Sequence, residues 1–302
     1  MNKKIAVALV TYNRLDLLKE CLASLRKQTY KPDKIIIINN DSTDGTTNWL
    51  NEQTDLEVIH QANLGGSGGF YTGIKLAYEQ GFDFIWVMDD DVEPELDCLE
   101  KLMQSFVDFG DEYDVLLPDR FYDATRNKRW RYGTKFNFTN PLKNIGVGNG
   151  ICAADDLSKK ILPIVAFTFE GPIFKREVIE KIGNVEKDFF INHDDTDYSI
   201  RAIRAGFKIG VVTDALLIKK IFIDVKKGLR ADFKLYYLVR NNIILDRKFG
   251  NNFFALIRNI RINLRLIMVF VYNDIKRGEM QTFRSIKPIF KGFNDGFKWK
   301  LQ

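Results

Sequence analysis

Cysteine and histidine are scarce in this chain of 302 residues, which has three of the first and two of the second. The cysteines, Cys21, Cys98 and Cys152, stand far apart and are odd in number. Neither a disulfide framework nor a cysteine-based metal site is therefore indicated. Unpaired thiols of this kind are typical of proteins that work in a reducing cytoplasm, so we expect a cytoplasmic location.

Long hydrophobic runs, internal repeats and low-complexity segments are also missing. The apolar run near the start, Ile5 to Val10, is only six residues long. That length fits a buried strand and is too short for the apolar core of a signal peptide. No window of eighteen or more apolar residues occurs, so the sequence predicts no membrane-spanning helix.

What the sequence does contain is an alternation of strand and helix patterns. Apolar runs at 5–10, 34–39 and 82–88 favour buried strands, and the segments between them have helical spacing. This alternation predicts an α/β fold with a mainly parallel sheet flanked by helices. Ligands bind such sheets beyond the carboxyl ends of the strands. Four polar stretches fall at that edge: Thr11–Arg14, Asn39–Asp44, Asn63–Gly69 and Asp89–Asp91.

Positive charge is concentrated in the last quarter of the chain. Residues 226–302 hold 17 of the 45 Lys and Arg but only 5 of the 40 Asp and Glu. Their residue spacing is typical of helices. Arg258, Arg261 and Arg265 form one stripe. A separate apolar stripe consists of Phe253, Leu256, Ile260, Leu264, Ile267 and Val271. Such a helix either lies on an anionic bilayer surface or packs on the protein's own core with a basic edge. It lacks the spaced stacking aromatics of nucleic-acid modules, so no nucleic-acid partner is expected.

Three consecutive aspartates, Asp89, Asp90 and Asp91, follow the third of these apolar runs. Their mutual repulsion would be relieved by a divalent cation such as Mg²⁺ or Mn²⁺ that bridges a diphosphate. The alternative is an acidic start to the next helix, which Pro94 and Glu95 suit. A second acidic cluster, HDDTDYS, contains Asp194, Asp195 and Asp197. One of its carboxylates could act as a general base, while Asp197 is placed to pair with Arg201 at i, i+4.

The segment NLGGSGGFYTG, residues 63–73, has five glycines in eleven residues. It does not fit a dinucleotide-binding fingerprint, because Tyr71 occupies the position of the last glycine and the segment follows a later strand. A phosphate-binding Walker loop is excluded as well, since no Gly-Lys-Ser/Thr ends it. Small residues at this edge would let the backbone approach a sugar nucleotide closely.

Five motifs in this order resemble family 2 glycosyltransferases with the GT-A fold. They are VALVTYNRLDLLKECLASLRKQTY, IIIINNDSTDGT, NLGGSGGFYTGI, WVMDDDVEP and HDDTDYSIRAIRAGFKI, and they cover about residues 5–215. The glycine-rich motif followed by Trp-x-Met-Asp-Asp-Asp is most similar to bacterial galactofuranosyltransferases. Rhamnosyltransferases are similar in outline. YYLVRNNI (Tyr236–Ile243) and GFNDGFKWK also resemble the tail of such polysaccharide enzymes.

The resemblance implies a role for each matching residue. Thr11, Arg14 and Asn39 would border the nucleotide and its diphosphate, and Asp90 would lie near the ribose or sugar. Asn63, Gly65 and Gly66 would lie against the donor. Asp89 and Asp91, the ends of the DXD motif, would hold Mn²⁺ or Mg²⁺. Asp195 would be the general base that deprotonates an acceptor hydroxyl, with Asp194 orienting the acceptor.

The chain departs from the family pattern at one position. Members often have a further metal-binding histidine one strand after the helix that carries the base. Here that region is VVTDALLIKKIF, with Lys219 near the position. The two histidines, His60 and His193, stand elsewhere. A lysine there could stand beside the diphosphate without coordinating a metal.

The resemblance implies an inverting transferase that moves galactofuranose from UDP-galactofuranose to a glycan acceptor of a bacterial surface polysaccharide. The basic tail suggests a lipid-linked acceptor and a peripheral position at the inner face of the plasma membrane. Two alternatives remain open, a rhamnosyltransferase that uses dTDP-rhamnose and a non-catalytic nucleotide-sugar-binding subunit. We expect residues 1–110 to bind the donor, residues 111–225 to hold the acceptor and the base, and residues 226–302 to form the basic helical region.

Overall fold

A computed structural model of the chain describes residues 3–122, 125, 129–130, 159–221, 233–278 and 282–301. Cys152 and the aromatic segment 131–150 lie outside the described residues. The described chain groups into two compact units. One contains residues 3–130, with the gaps just given, together with 159–188 and 195–221, and the other contains residues 189–194 and 233–301.

Nine strands of the described chain form one sheet in the first unit. They are β1 (Ile5–Thr11), β2 (Lys34–Asn39), β3 (Glu57–His60), β4 (Phe84–Asp89), β5 (Val92–Pro94), β6 (Val115–Phe121), β7 (Ile161–Ile164), β8 (Ile173–Lys175) and β9 (Ile209–Lys219). Their order across the sheet is β3-β2-β1-β4-β8-β6-β9-β5, and β7 also pairs with β9. The α/β prediction is confirmed.

The strands pair in parallel in two parts of the sheet. The four strands β3, β2, β1 and β4 are parallel to their neighbours, as are β6 and β9. β8, β5 and β7 are antiparallel to the strands they pair with, so the sheet as a whole is mixed. The apolar runs predict that these segments are strands, but direction depends on connections that hydrophobic periodicity does not show.

Both faces of the sheet are covered. In β1, Ile5, Val7 and Leu9 pack into one core cluster, and the alternate residues pack into the other. Since successive side chains of a strand point to opposite faces, an uninterrupted apolar run requires cover on both sides. The helices of this unit provide it: α1 (Leu15–Lys27), α2 (Thr46–Asn51), α3 (Gly65–Glu79), α4 (Cys98–Phe109), α5 (Arg176–Ile182) and α6 (Asp194–Arg204).

Helix α3 begins inside the glycine-rich segment, at Gly65. Glycine is a poor helix former, but here tertiary packing outweighs that preference. A Cβ atom on Gly69 would lie 2.5 Å from Cγ1 of Val10 in β1. One at Gly66 would meet nothing closer than 3.9 Å, a ring carbon of Phe70. Gly69 is therefore required by the close approach of α3 to the sheet, independently of any ligand.

We expect Gly69→Ala to destabilise the protein by about 1–3 kcal/mol, because the added methyl overpacks the contact between α3 and β1. Gly66→Ala is the matched control in the same helix, and it should be neutral or stabilising by up to about 1 kcal/mol. Chemical denaturation of both variants measures the difference. Equal stability of the two would contradict the packing explanation. A loss of nucleotide affinity in a stable Gly66→Ala would instead support the predicted donor contact at Gly66.

The second unit contains three helices, α7 (Phe233–Phe249), α8 (Asn252–Arg277) and α9 (Thr282–Lys298). Its small core consists of Leu235, Val239, Ile243, Phe270 and Ile289. Glycines allow α7 and α9 to approach closely, since a Cβ at Gly292 would lie 2.7 Å from the carbonyl oxygen of Tyr236. None of the helices that the structure describes is long and apolar enough to cross a membrane.

Helix α8 buries several polar residues and exposes many apolar ones. Arg258 is buried and donates to Asp246 at 2.6 Å, so it does not belong to an exposed arginine stripe, as the sequence pattern suggested. Only Arg261 and Arg265 of that stripe are exposed. The predicted apolar stripe is exposed along most of its length, at Phe253, Leu256, Ile260, Leu264 and Val271, whereas Ile267 is half-buried.

Candidate active site

The acidic triad, Asp89, Asp90 and Asp91, lies where β4 ends and just before β5 begins. The neighbouring strand β1 ends at Thr11, and Val10 is paired with Asp89. This register brings the Thr11 hydroxyl to 2.8 Å from Oδ2 of Asp90, to which it donates. Asp90 and Asp91 are almost fully buried. The sheet edge thus concentrates carboxylates that need positive partners.

Arg14 is the first of those partners. Its Nη1 donates to Asp90 at 3.0 Å and to Asp91 at 3.2 Å. Burial would lower the pKa of the Arg14 guanidinium, but the charges of Asp90 and Asp91 raise it above its ordinary value. Arg14 is therefore a fixed positive charge at this edge, and its side chain is 38% exposed.

Lys219 is the second partner, although it lies 128 positions after Asp91 in the sequence. The antiparallel pairing of β5 with β9 places Val92 opposite Lys219. The Lys219 ammonium consequently lies 2.6 Å from Oδ1 of Asp91 and 3.8 Å from Oδ2 of Asp89. It also lies 2.6 Å from Oε1 of Glu170. Lys219 is thus surrounded by three carboxylates.

Glu170 and Arg120 extend this network of charged side chains, and neither is among the site residues predicted from the sequence. Glu170 forms an ion pair with the buried guanidinium of Arg120. Arg120 in turn donates to Thr168 at 2.7 Å and lies over the ring of Trp130, 4.1 Å from its centre. Glu170 could have been selected from the sequence, since it is the one charged residue in the otherwise uncharged run ILPIVAFTFEGPIF.

Asp89 is the most exposed member of the acidic triad, with 35% of its side chain reaching solvent. The surrounding protein atoms nevertheless raise its pKa to about 7, and Asp90 and Asp91 add to this while Lys219 opposes it. Burial also raises the pKa of Asp90 above its usual range, against the lowering effect of Arg14. Each additional negative charge is therefore unfavourable at this edge unless a cation balances it.

The predicted donor-binding residues lie on adjacent strand ends. Asn39, at the end of β2, is buried and donates to the hydroxyl of Thr47 at 2.8 Å. Asn63 accepts from the backbone N–H of Gly65 at 2.9 Å, which fixes the start of α3. Gly65 has a φ of +72°, a conformation that suits glycine. The structure thus places Asn39, Asn63, Gly65 and Gly66 along the edge formed by β2, β3 and α3.

Helix α6 carries the predicted base. Asp194 is its first residue and is buried, while Asp195 is half-buried. Oδ1 of Asp195 accepts from the backbone N–H of Thr196 at 2.6 Å. Asp197 instead pairs with Arg201 at 2.7 Å, which is the structural role that its spacing indicates.

The helix is anchored next to the segment that carries Glu170. Ser199 accepts from the backbone N–H of Phe167 at 3.0 Å, and the ring of Tyr198 contacts that of Phe169, with centres 5.8 Å apart. These contacts hold α6 against residues 167–169. They fix the helix that bears Asp195 relative to the strand-end segment containing Glu170.

The segment before α6 has an unusual backbone. Phe190, Asn192 and His193 all have positive φ, between 66° and 68°. Such conformations cost about 1–3 kcal/mol each in a residue other than glycine and need support from their surroundings. The support comes from Asn241 in α7, whose Nδ2 donates to the carbonyl oxygens of Phe189, Ile191 and Asn192 at 3.0, 2.9 and 2.8 Å. Asn241 is therefore a positioning residue for the segment that leads into Asp194.

The contacts of the acidic triad allow the expected Mn²⁺ or Mg²⁺ to be tested against the residues present. Asp89 and Asp91 offer oxygen ligands of the right kind. In the part of the chain that the structure describes, no group of three or more His, Cys, Asp or Glu is arranged to hold a metal. His60 is engaged with Asn39 and Asn51, and burial lowers the pKa of His193 to about 4. Lys219 and Arg14 already lie against the carboxylates of Asp89 and Asp91. These residues therefore do not fit a divalent ion as they stand, and the metal assignment stays a prediction.

Comparison with known proteins identifies this arrangement. A mixed sheet flanked by helices, with an acidic triad at a strand end, is the GT-A fold of glycosyltransferases, and solved structures support this. The chain superposes on S. aureus TarS residues 1–349 in complex with UDP, with a TM-score of 0.53 and 19% identity over 80% of this chain. The match covers 65% of that chain, somewhat less than two thirds.

Sequence relatives narrow the assignment. The model for glycosyl transferase family 2 matches residues 6–182, more than half of the chain. The protein belongs to glycosyl transferase family 2. It is 27% identical to the galactofuranosyltransferase GlfT1 of Mycobacterium tuberculosis over 71% of this chain and 69% of that protein. It is 24% identical to the dTDP-rhamnosyl transferase RfbF of Shigella flexneri over 97% and 98%. The family resemblance is confirmed.

Proposed function

We propose that the protein transfers galactofuranose from UDP-galactofuranose to a sugar hydroxyl of a lipid-linked bacterial surface polysaccharide, with inversion at the anomeric carbon. The observation that carries the donor is the similarity to GlfT1 over more than two thirds of both chains. The site is consistent with this use. Arg14 and Lys219 stand beside the acidic triad at the sheet edge, where a nucleoside diphosphate requires positive charge.

In this proposal, Asp195 takes the proton of the acceptor hydroxyl. The hydroxyl oxygen then attacks the anomeric carbon, and the bond from that carbon to the β-phosphate oxygen breaks, so that UDP leaves with the electron pair. Thr11, Arg14 and Asn39 border the nucleotide and diphosphate. Asn63 and the start of α3, at Gly65 and Gly66, lie against the donor, with Asp90 nearby. Asp194 orients the acceptor.

A second candidate donor is dTDP-rhamnose, because the similarity to RfbF extends over 97% of this chain. The two donors differ in both the base and the sugar. Selectivity between the two donors must therefore come from protein groups that contact the nucleoside and the region of the anomeric carbon.

A panel of nucleotide sugars tests the proposal. A donor present at a hundred times its Kd should stabilise the protein by about 2.7 kcal/mol. This corresponds to a rise in melting temperature of roughly 5–10 °C. UDP release with an acceptor glycan then identifies the substrate. Turnover with dTDP-rhamnose and not with UDP-galactofuranose would replace the donor, and no turnover with any nucleotide sugar would contradict a transferase function.

We also propose that the second unit binds an anionic membrane surface, which would place the enzyme at the inner face of the plasma membrane. The outward face of α8 has exposed apolar residues over its full length, from Phe253, 66% exposed, to Ile275, 77% exposed. Arg261 and Arg265 are exposed beside it. Apolar area combined with adjacent basic charge is the pattern of a helix that lies in a bilayer interface.

Vesicle co-sedimentation tests this proposal. The protein should pellet with anionic vesicles at low salt, and less at high salt because the basic side chains are screened. Exchanging Ile260 and Leu264 for glutamine should reduce pelleting strongly. Val107→Gln removes an apolar residue that is 75% exposed elsewhere and should leave pelleting unchanged. Absence of co-sedimentation at either salt, or self-association that buries this face, would contradict the membrane assignment.

A further inference from the structure

The position where a divalent ion would be expected is occupied by a side chain of the protein itself. The Lys219 ammonium lies within 4 Å of carboxylate oxygens from Asp89, Asp91 and Glu170. Carboxylates arranged around one point are the surroundings of a bound cation. We propose that Lys219 is the permanent cation of the donor site, so that the enzyme binds and cleaves its nucleotide sugar without a divalent metal. This inference rests on the proposed transferase function.

The charges around Lys219 are already nearly balanced. Among the residues that the structure describes, four carboxylates (Asp89, Asp90, Asp91 and Glu170) face three cations. Arg14 binds Asp90 and Asp91, Lys219 binds Asp91 and Glu170, and Arg120 binds Glu170. A divalent ion at Asp91 would have to displace Lys219 or Arg14. The displaced cation would lose its carboxylate partner inside the protein, which is costly.

Lys219 is also held in a fixed place. It is the last residue of β9, and the neighbouring Lys220 N–H donates to the carbonyl oxygen of Asp91 at 2.8 Å. Only 12% of the Lys219 side chain is exposed. The Lys219 ammonium donates to Oδ1 of Asp91 at 2.6 Å and forms an ion pair with Oε1 of Glu170, also at 2.6 Å. Asp89, at 3.8 Å, is too distant for a hydrogen bond. Because an ammonium has three N–H groups, Lys219 can also donate to a phosphate oxygen of the nucleotide sugar while it keeps these contacts.

The chemical role of Lys219 follows from the bond that breaks. As the anomeric carbon separates from the β-phosphate oxygen, the electron pair passes to the diphosphate and its negative charge grows. A prearranged positive charge stabilises that change more than it stabilises the bound donor. Lys219 gives up no proton in this step, because the acceptor proton passes to Asp195. Glu170 and Asp91 act as positioning residues that hold the ammonium in place.

Substitution of Lys219 in the full chain tests the proposal. Lys219→Met removes the charge and keeps the side-chain length, and turnover should fall by about 10²–10³-fold, the usual loss for one donor aimed at developing negative charge. Lys220→Met is the matched control, because the adjacent Lys220 pairs with Glu93 and Glu20 outside the acidic triad. It should leave turnover unchanged. If Lys219→Met does not fold, turnover of Lys219→Arg, which preserves the positive charge, is measured in its place.

Metal and nucleotide binding by the wild-type protein give an independent measurement. Paramagnetic resonance should detect no stoichiometric binding of Mn²⁺ in the presence of saturating UDP or dTDP, and calorimetric UDP affinity should be the same with EDTA as with Mn²⁺. One Mn²⁺ bound per chain, or turnover abolished by EDTA and restored by Mn²⁺, would overturn the inference. So would full activity of Lys219→Met. If no nucleotide sugar is turned over, the transferase proposal fails, while these binding measurements still decide the role of Lys219.

Discussion

Asp195→Asn should lower kcat by about 10³-fold, since a positioned general base contributes on the order of 10²–10⁴. The side chain is half-buried near the start of α6, and its Oδ1 accepts from the Thr196 N–H. Asparagine retains this acceptor, so the helix start should be preserved. In the proposed mechanism, what is lost is the ability of Asp195 to accept a proton from the acceptor hydroxyl. Turnover measured by UDP release, at saturating donor and acceptor, reports the loss.

Two measurements separate this effect from a loss of folding or of donor binding. The melting temperature and the UDP affinity of Asp195→Asn should match those of the wild type. Asp214→Asn makes the same exchange at an exposed position in β9 and should leave kcat unchanged. Wild-type turnover by Asp195→Asn would show that another group removes the proton. Asp194 would then be the first residue to examine, because it is the adjacent carboxylate in α6.

Asn241→Asp should destabilise the second unit more than Asn241→Ala does, although aspartate has nearly the same shape as asparagine. The Asn241 amide donates to three backbone carbonyl oxygens. Alanine leaves them without their donor, at a cost of about 3 kcal/mol in total. Aspartate adds a negative charge that faces them. Arg240 orients the amide by donating to its oxygen at 2.8 Å, so the donating nitrogen is directed at the segment.

The same variants should lower kcat by roughly 10–100-fold, because small displacements of reacting groups are costly. The Michaelis constant for the donor should change little, since we propose that the nucleotide binds at the strand ends, away from this segment. Hydrogen exchange should become faster in residues 189–195 and not elsewhere. A general loss of stability would instead speed exchange throughout the protein. Asn294→Ala, at an exposed position in α9, is the control and should change stability by less than about 0.5 kcal/mol. If Asn241→Ala and Asn241→Asp lower stability equally, Asn241 would act through packing rather than through its hydrogen bonds.

We expect stability and catalysis to be connected at both places. The acidic triad is balanced by cations from β9 and from the loop before α1. The backbone of residues 189–192 is supported by an amide from α7. In each case a conformation or charge that is unfavourable alone is balanced by a residue far away in the sequence. Substitutions of the balancing residues should therefore affect both folding and turnover.

The sequence alone determined the fold class and indicated the sheet edge at which the candidate site residues lie. Uninterrupted apolar runs such as Ile5–Val10 require a sheet covered on both faces, and polar residues after such runs must meet at one edge. For that reason Thr11, Asn39 and the acidic triad could be selected without coordinates. The i, i+4 spacing of Asp197 and Arg201 likewise sufficed to assign them to a structural pair.

Only the tertiary structure decided which charges face each other and which residues are buried. Lys219 and Asp91 are 128 positions apart, and the antiparallel register of β5 and β9 is what brings them together. The need for Gly69 arises from Val10 on another element, and the burial of Arg258 arises from Asp246 on another helix. Hydrophobic periodicity and local motifs reflect forces within one element. Register, close packing and charge pairing between distant segments depend on how the elements assemble, so they cannot be worked out from one segment at a time.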